Sequence, residues 1–168
     1  MLRPGPAQYA SRLLKGFAQN RRMPSLKQRQ ASARRLAIGV ARVAHERHCT
    51  DIVVLDLRGI SPVTDYFVIS TGTSDRQMRA VAEEITATAA EGGHRPFNVA
   101  GTNSARWILL DFFDVVVHLF DDEYRRFYDL ELIWGDAPRL RWRRARKGVQ
   151  AGPKGKADDH GKGFVGED

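Results

Sequence analysis

Two apolar runs separated by only two residues constrain the fold of this chain more than any other feature. The runs, 107–112 and 115–120, lie within the stretch RWILLDFFDVVVHLFDDEYRRFYDLELIW, residues 106–134. Successive side chains of a strand point to opposite faces, and a two-residue connection joins antiparallel neighbours. The spacing therefore predicts a β-hairpin with Phe113 and Asp114 at its turn, which completes a sheet built by the rest of the chain.

The predicted pairing gives the hairpin two different faces. One is wholly apolar and is expected to meet the core; it carries Ile108, Leu110, Phe112, Val115, Val117 and Leu119. The other mixes large apolar groups with a carboxylate and an imidazole; it carries Trp107, Leu109, Asp111, Val116, His118 and Phe120. A face of this kind is either covered by a helix or used for binding. Phe-Asp is an unfavourable turn sequence, and a slip of one residue would exchange the two faces.

A helix is predicted directly after the hairpin. Asp121 or Asp122 suits the N-cap, because a carboxylate accepts from the first free N–H groups and complements the helix dipole. The spacing i, i+3, i+4, i+7 places four side chains along one side of this helix: Tyr124, Phe127, Tyr128 and Glu131. Gly135 is expected to end the helix, and Pro138 to keep it from resuming.

The remaining elements are predicted upstream of the hairpin. They are a helix over 25–48, strands over 51–57 and 65–71, a helix after the turn at 72–75, and a short strand over 96–100. The connection between the first two strands is too short for a crossover helix, so they are expected to be antiparallel neighbours. The order α-β-β-α-β-β-β-α predicts a small mixed five-stranded sheet with helices packed on it, of class α/β to α+β.

Charge is distributed unevenly along the 168 residues, which carry a net charge of +7. Residues 1–50 contribute +10, residues 51–136 contribute −8 and residues 137–168 contribute +5. Basic ends favour RNA-rich surroundings, whereas an acidic body suits a basic protein partner better than it suits a nucleic-acid groove.

Composition is typical of one domain with a tail at each end. We expect a flexible basic extension over 1–24, a domain over 25–137 and a basic disordered tail over 138–168. Cys49 is the only cysteine, so an intrachain disulfide is excluded and a reducing, cytoplasmic location is favoured. An Arg-rich, acid-poor start is also typical of an organelle transit peptide, which stays as the alternative.

Few arrangements in the sequence suit catalysis. The turn STGTSD at 70–75 precedes a helix, as phosphate-binding turns do, but it lacks the Lys of a P-loop and the glycines of a dinucleotide motif. A nucleotidyl transferase also needs two carboxylates on one strand face to hold Mg²⁺, whereas Asp111 and Asp114 straddle the predicted turn. We therefore expect a protein that is not an enzyme, with no catalytic residue, cofactor or metal site.

Several stretches resemble the Iojap-like ribosomal silencing factor family. They are DIVVLDLRGISPVTDYFVISTGTSDRQ, RWILLDFFDVVVHLF and RRFYDLELIW, and the similarity runs from about Leu36 to Trp134. The resemblance implies a small α/β domain with a nucleotidyl-transferase-like sheet and no known catalysis. The chain departs from the family pattern at two places: Ala100-Gly101 stands where Glu-Gly is expected, and Phe113-Asp114 where Gly-Asp is expected.

The resemblance also implies a partner and a mechanism. Such proteins bind the large ribosomal subunit through its protein number fourteen, block joining of the small subunit, and repress translation when nutrients are short. A role in large-subunit assembly and a degenerate nucleotidyl transferase are the alternatives, and rRNA contacts through the basic tails and a homodimer off the ribosome are compatible with the main one. Carried over by motif, the partner-binding residues are Trp107, Leu109, Asp111 and His118, with Arg125, Tyr128 and Glu131 from the helix.

Overall fold

The computed structural model describes residues 24–143. Its elements are α1 (Leu26–Glu46), β1 (Thr50–Asp56), β2 (Tyr66–Thr71), α2 (Asp75–Glu91), β3 (Asn98–Ala100), β4 (Trp107–Asp111), β5 (Val115–Phe120), α3 (Asp122–Tyr128) and α4 (Leu130–Ile133). No helix in this range is long and apolar enough to cross a membrane. The predicted extension over 1–24, apart from Pro24, and the tail beyond Arg143 lie outside the described residues.

The five strands form one mixed sheet in the order β1-β2-β5-β4-β3, which confirms the predicted class. The β1–β2 pair is antiparallel, as predicted, and β2 and β5 are parallel neighbours at the centre. Helix α2 carries the chain from β2 across to β3 at the far edge, which leaves room for the hairpin between them. The hairpin is thus inserted into a frame that the first hundred residues build.

The register of the hairpin is the predicted one. Trp107 pairs with Phe120, Leu109 with His118 and Asp111 with Val116. All six residues of the predicted apolar face are buried.

Phe113 adopts a strained backbone conformation at the tip of the hairpin. Its φ is 66°, and the Asp114 N–H donates to the Phe112 carbonyl at 2.9 Å, which closes a three-residue γ-turn. Positive φ is the conformation that glycine adopts without strain, so the structure explains why this position suits the glycine of the family pattern.

Helices α1 and α2 cover the apolar face of the sheet. Ser25 caps α1 and Gln28 completes a reciprocal capping box, while Ser74 caps α2. The apolar stripes of the two helices pack into one core with the inner sides of the strands; they comprise Leu36, Val40 and Val43 from α1 and Met78, Val81, Ala82, Ile85 and Ala89 from α2. Burial of side chains of this size contributes about 2 kcal/mol each, so this layer supplies most of the stabilising apolar contact.

The helix after the hairpin is not continuous, which corrects the prediction. Asp121 is its N-cap, but α3 ends at Tyr128 and Asp129 adopts a left-handed conformation with φ 38°. The Asp129 side chain then accepts from the Leu132 N–H and starts the short helix α4. Because the chain turns at Asp129, Glu131 leaves the stripe that Tyr124, Phe127 and Tyr128 were predicted to share with it.

The predicted boundary at residue 138 is also too early. The Pro138 carbonyl accepts from the Asp56 N–H, and the Leu140 N–H donates to the Val54 carbonyl, both at 2.8 Å. These bonds lay residues 138–140 along the free edge of β1. Trp142 then enters the core beneath α1, where it is buried. The charge of residues 138–168 favours a disordered tail, whereas Trp142, the one tryptophan among them, favours packing against the core.

Gly101 lies where the loop before β4 comes close to the backbone of that strand. Its φ is +82°, and a Cβ there would overlap the Trp107 carbonyl oxygen, so Gly101→Ala is expected to combine backbone strain with displacement of β4. Gly59 is the matched control, because its φ is +77° but a Cβ would meet nothing within 4 Å. We expect Gly59→Ala to lower the free energy of unfolding by about 1 kcal/mol and Gly101→Ala by about 3 kcal/mol or more, measured in urea. Equal losses would show that β4 does not press on the loop.

Candidate functional site

The second face of the sheet is only half covered. A smaller cluster of apolar side chains lies over its β1–β2 side, where Trp134 and Leu130 pack on Leu55, Leu57 and Ile69. Over β4 and β3 the cover ends, and Leu109 and Asp111 stay half-buried while Asn98 and Ala100 are exposed. One half of the mixed face is therefore covered by the segment after β5, and the other half stays open.

Trp107 stands at the boundary between these halves. Its ring is stacked on Phe120 with centroids 5.0 Å apart, and it meets Tyr128 of α3 at 4.6 Å. Its indole Nε1–H donates to Nδ1 of His118 at 3.2 Å. The aromatic surface, as we name it, consists of Trp107, Leu109, Asp111 and Tyr128. The Trp107 ring is thus packed on two sides and half-buried overall, and well-packed aromatic side chains are typical interface anchors.

His118 lies beneath this surface and is only 4 % exposed. Burial lowers the pKa of His118 to about 4, so the ring is neutral at physiological pH. Since Nδ1 accepts from the indole, the ring hydrogen is on Nε2, which has no hydrogen-bond partner among the described residues. The structure thus places His118 as the support that orients Trp107, whereas the sequence predicted it among the partner-binding residues.

Asp111 has a second task at the hairpin tip. Its Oδ1 accepts from the Phe113 N–H at 2.8 Å, and its carbonyl accepts from Phe97 at 2.7 Å. The rings of Phe97 and Phe113 meet with centroids 4.6 Å apart, and both are exposed. Asp111 therefore stabilises the strained turn. The exposed pair of Phe97 and Phe113 at the edge of the sheet was not predicted from the sequence.

Arg125 and Glu131 lie together but face each other rather than solvent. Arg125 donates twice to Oε2 of Glu131, at 2.7 and 3.2 Å, and once to Oγ1 of Thr71 at 3.0 Å. The Arg125 side chain is only 12 % exposed. The pair joins α3 to α4 across the break at Asp129, so it holds the helices in place behind the aromatic surface.

Arg106 makes a further clamp that sequence reasoning missed. Its Nε donates to Asp121 Oδ2 at 2.8 Å, its other end pairs with Glu123, and its guanidinium lies 4.2 Å from the centroid of Tyr124. It thereby fixes the start of α3 to the start of β4. An Arg directly before the tryptophan strand and acids at the helix N-terminus were the available signals.

A second group of exposed apolar side chains continues from Tyr128. Phe127 is 79 % exposed, Leu132 76 % and Ile133 67 %. The Phe127 ring packs edge-on against Tyr128 at 5.1 Å. Single exposed apolar residues are ordinary, but Phe127 contacts Tyr128 and so extends the apolar area of the aromatic surface.

Within the turn at 70–75, Thr73 and Ser74 bond to Gln77, whereas the buried Ser70 Oγ has no hydrogen-bond partner among the described residues. Ser74 caps α2 by accepting from the Gln77 N–H at 3.2 Å, and Thr73 donates to the Gln77 side chain from both its N–H and its hydroxyl. Gly72 is packed against Met78. Burial raises the pKa of the Cys49 thiol. Within residues 24–143, no group of three or more His, Cys, Asp or Glu side chains is arranged to hold a metal ion.

Comparison with known proteins identifies the family. The model of the family described as "Ribosomal silencing factor during starvation" matches residues 30–163. The chain belongs to the ribosomal silencing factor family. The match continues past Trp142, in agreement with the packed residues 138–143 and beyond the part in which the resemblance was first seen.

Relatives of the ribosomal silencing factor family occur in bacteria and in organelles. The chain is 46 % identical over 98 residues to the ribosomal silencing factor RsfS of Bacillus subtilis, covering 58 % of this chain and 83 % of that one. It is 36 % identical over 104 residues to the chloroplastic protein Iojap of Zea mays, covering 60 % of this chain and 44 % of that one. It is 32 % identical over 92 residues to "Mitochondrial assembly of ribosomal large subunit protein 1" of Mus musculus, covering 53 % and 40 %.

A solved structure supports the same fold. The protein CV0518 of Chromobacterium violaceum superimposes with a TM-score of 0.56 at 31 % identity, covering 61 % of this chain and 83 % of that one. The sheet and helices of the described region are therefore those of the silencing factor family.

The neutral, buried imidazole of His118 predicts a specific pH dependence. Its ordinary pKa is 6.5 and its folded pKa is about 4, so between these values the unfolded chain binds a proton that the folded chain does not. The free energy of unfolding is therefore expected to fall as the pH drops below 6.5, by up to about 3 kcal/mol near pH 4.

His118→Gln isolates this contribution, since its side-chain oxygen can accept from Trp107 but does not titrate. The difference in free energy of unfolding between wild type and His118→Gln, followed in urea from pH 7 to pH 4, should shrink or reverse in favour of the variant. A constant difference over that range would contradict a neutral buried imidazole.

Proposed function

We propose that this protein binds the large ribosomal subunit through the aromatic surface and prevents the small subunit from joining. The partner carried over from the family resemblance is the large-subunit protein number fourteen, at the subunit interface. A bound domain at that position leaves no room for the small subunit, so translation is repressed when nutrients are short. The proposed location is the cytoplasm.

The observation that carries this proposal is the support of Trp107. The ring is backed by Phe120, flanked by Tyr128 and oriented by the hydrogen bond to His118, so it is held in one conformation before any partner arrives. Preorganised aromatic anchors lose little conformational entropy on binding, and they supply a large share of interface energy. Exposed Phe127 and half-buried Leu109 extend the apolar area on either side.

Charge favours a protein as the partner of this face. Residues 51–136, which include the whole aromatic surface, carry a net charge of −8. Ribosomal proteins are basic because they bind rRNA, so an acidic domain is attracted to a basic ribosomal protein and repelled by exposed rRNA. The same apolar surface would pair two copies of the chain as a homodimer when the protein is off the ribosome.

A role in large-subunit assembly is the second candidate. It is favoured by the mouse relative, whose name describes assembly of the mitochondrial large ribosomal subunit. Both roles use the same bound complex, and they differ in whether the subunit is immature or complete when the protein binds. Binding to mature large subunits purified from growing cells favours silencing, and binding confined to precursor particles favours assembly.

Trp107→Ala is expected to weaken binding to large subunits by about 2 kcal/mol or more, because it removes the central anchor. Ile60→Ala is the matched control, since Ile60 is exposed in the loop between β1 and β2, at the end of the sheet away from Trp107. Affinity is measured by microscale thermophoresis with labelled protein, and circular dichroism checks that each variant is folded. Unchanged affinity in a folded Trp107→Ala variant would remove Trp107 from the interface.

A further inference from the structure

One edge of the domain carries arginines that no carboxylate neutralises. Most other arginines among residues 24–143 are paired, as Arg29 is with Asp114, at 2.9 Å, and Arg126 with Asp122, at 2.8 Å. Arg35, Arg76 and Arg95 are the exceptions, with no carboxylate oxygen within 4.0 Å among the described residues. Four arginines beside β1 have no carboxylate oxygen within 4.0 Å among residues 24–143; they are Arg34 and Arg42 of α1, and Arg141 and Arg143 of the segment after α4. We call these four residues the cationic edge.

Trp142 brings the two halves of the cationic edge together. Its indole Nε1–H donates to the Ile52 carbonyl at 3.2 Å, and its own carbonyl accepts from Arg42 Nε at 3.2 Å. The Arg143 guanidinium lies 5.1 Å from the centroid of its ring. Because Trp142 is buried between α1 and β1, the arginines on either side of it are held beside those of the helix.

Nearby carboxylates of the described chain form no ion pair with the arginines of the cationic edge. Asp56 accepts from Arg58 at 2.8 and 2.5 Å, and this pairing, with a weaker attraction to Arg34, lowers the pKa of Asp56. Four carboxylates line the same cavity as Arg143, but none lies within 4.0 Å of its guanidinium; they are Asp51, Asp122, Asp129 and Glu131. In the sequence, Arg144, Arg146 and Lys147 follow directly, so the basic run continues from the point where the described chain ends.

The cationic edge is separate from the aromatic surface. The strand order places β1 at one edge of the sheet and β3 at the other, and Trp107, Leu109 and Asp111 lie on β4, next to β3. A partner seated on β4 therefore leaves the edge beside β1 accessible to a second contact.

We propose that the cationic edge binds the phosphate backbone of RNA. The guanidinium fork matches phosphate oxygens, and an arginine without a carboxylate partner loses no ion pair when it binds them. Residues 34–46 and 137–143 expose no large apolar side chain, so the contact offers charge and donors without the apolar anchors that a protein partner requires. This inference rests on the proposed function for the identity of the RNA, which is then rRNA beside the bound domain.

Two pairs of arginines make a matched test in the full chain. Arg34→Gln with Arg141→Gln removes two charges from the cationic edge, and Arg76→Gln with Arg95→Gln removes two from α2 and the loop after it. None of these four side chains makes an ion pair or hydrogen bond among residues 24–143, so both double variants should fold as the wild type does. Arg34→Lys with Arg141→Lys keeps the charge as a further control.

Two probes separate this proposal from the proposed function. One is a labelled RNA duplex of arbitrary sequence and about 16 base pairs, and the other is the isolated large subunit. We expect the cationic-edge variant to bind both probes about tenfold more weakly near 100 mM salt, with a slope of log affinity against log salt smaller by about two. The Arg76/Arg95 variant should change affinity by less than about twofold, and the Lys variant, which keeps both charges but not the guanidinium fork, should keep the wild-type salt slope.

Equal weakening of RNA binding in both Gln variants would overturn the proposal, because binding would then respond only to net charge. Unchanged RNA binding in the cationic-edge variant would overturn it as well. If the wild type does not bind large subunits but its duplex affinity depends on Arg34 and Arg141, the proposed function fails and the cationic edge stands. If large subunits bind the wild type and the cationic-edge variant equally, the reverse holds.

Discussion

The pairing of β4 with β5 in one register decides what this molecule presents to a partner. With Trp107 opposite Phe120, the apolar side chains Ile108 and Leu110 enter the core and Leu109 and Asp111 remain on the open half of the sheet. A slip of one residue would bury a carboxylate and expose the core set, at a cost of several kcal/mol. This register requires a strained backbone conformation at Phe113, which a hydrogen bond to the Asp111 side chain stabilises.

The secondary structure up to Phe120 could be predicted from the sequence because its signals are local. Period-two alternation defined the strands of the hairpin, and serine caps with apolar stripes defined α1 and α2. The break at Asp129 could not be found in this way, since helical spacing continued through it and the Arg125–Glu131 contact that spans the break is not visible in that spacing. Burial of Trp142 could not be predicted from local sequence either, because its hydrogen-bond partners are about a hundred residues away along the chain.

The candidate site was predictable in composition but not in the roles of its members. Alternation placed Trp107, Leu109, Asp111 and His118 on one face, and the structure keeps them there. Burial distinguishes the roles of the predicted residues. His118 is buried beneath the aromatic surface and accepts a hydrogen bond from Trp107, while Arg125 and Glu131 are paired with each other. A sequence reports which face a side chain occupies, whereas the packing of α3 and α4 over that face decides which side chains remain available to a partner.

The proposed function requires the domain to occupy the subunit-joining surface of the large ribosomal subunit. Co-sedimentation of the purified full chain with isolated large subunits, isolated small subunits and joined ribosomes at physiological salt tests it most directly. Binding at this surface should give selective pelleting with free large subunits, exclusion from joined ribosomes, and a smaller joined fraction when the protein is added before the small subunit. Equal pelleting with all three particles would contradict it, because binding would then come from nonspecific attraction of the basic ends to RNA.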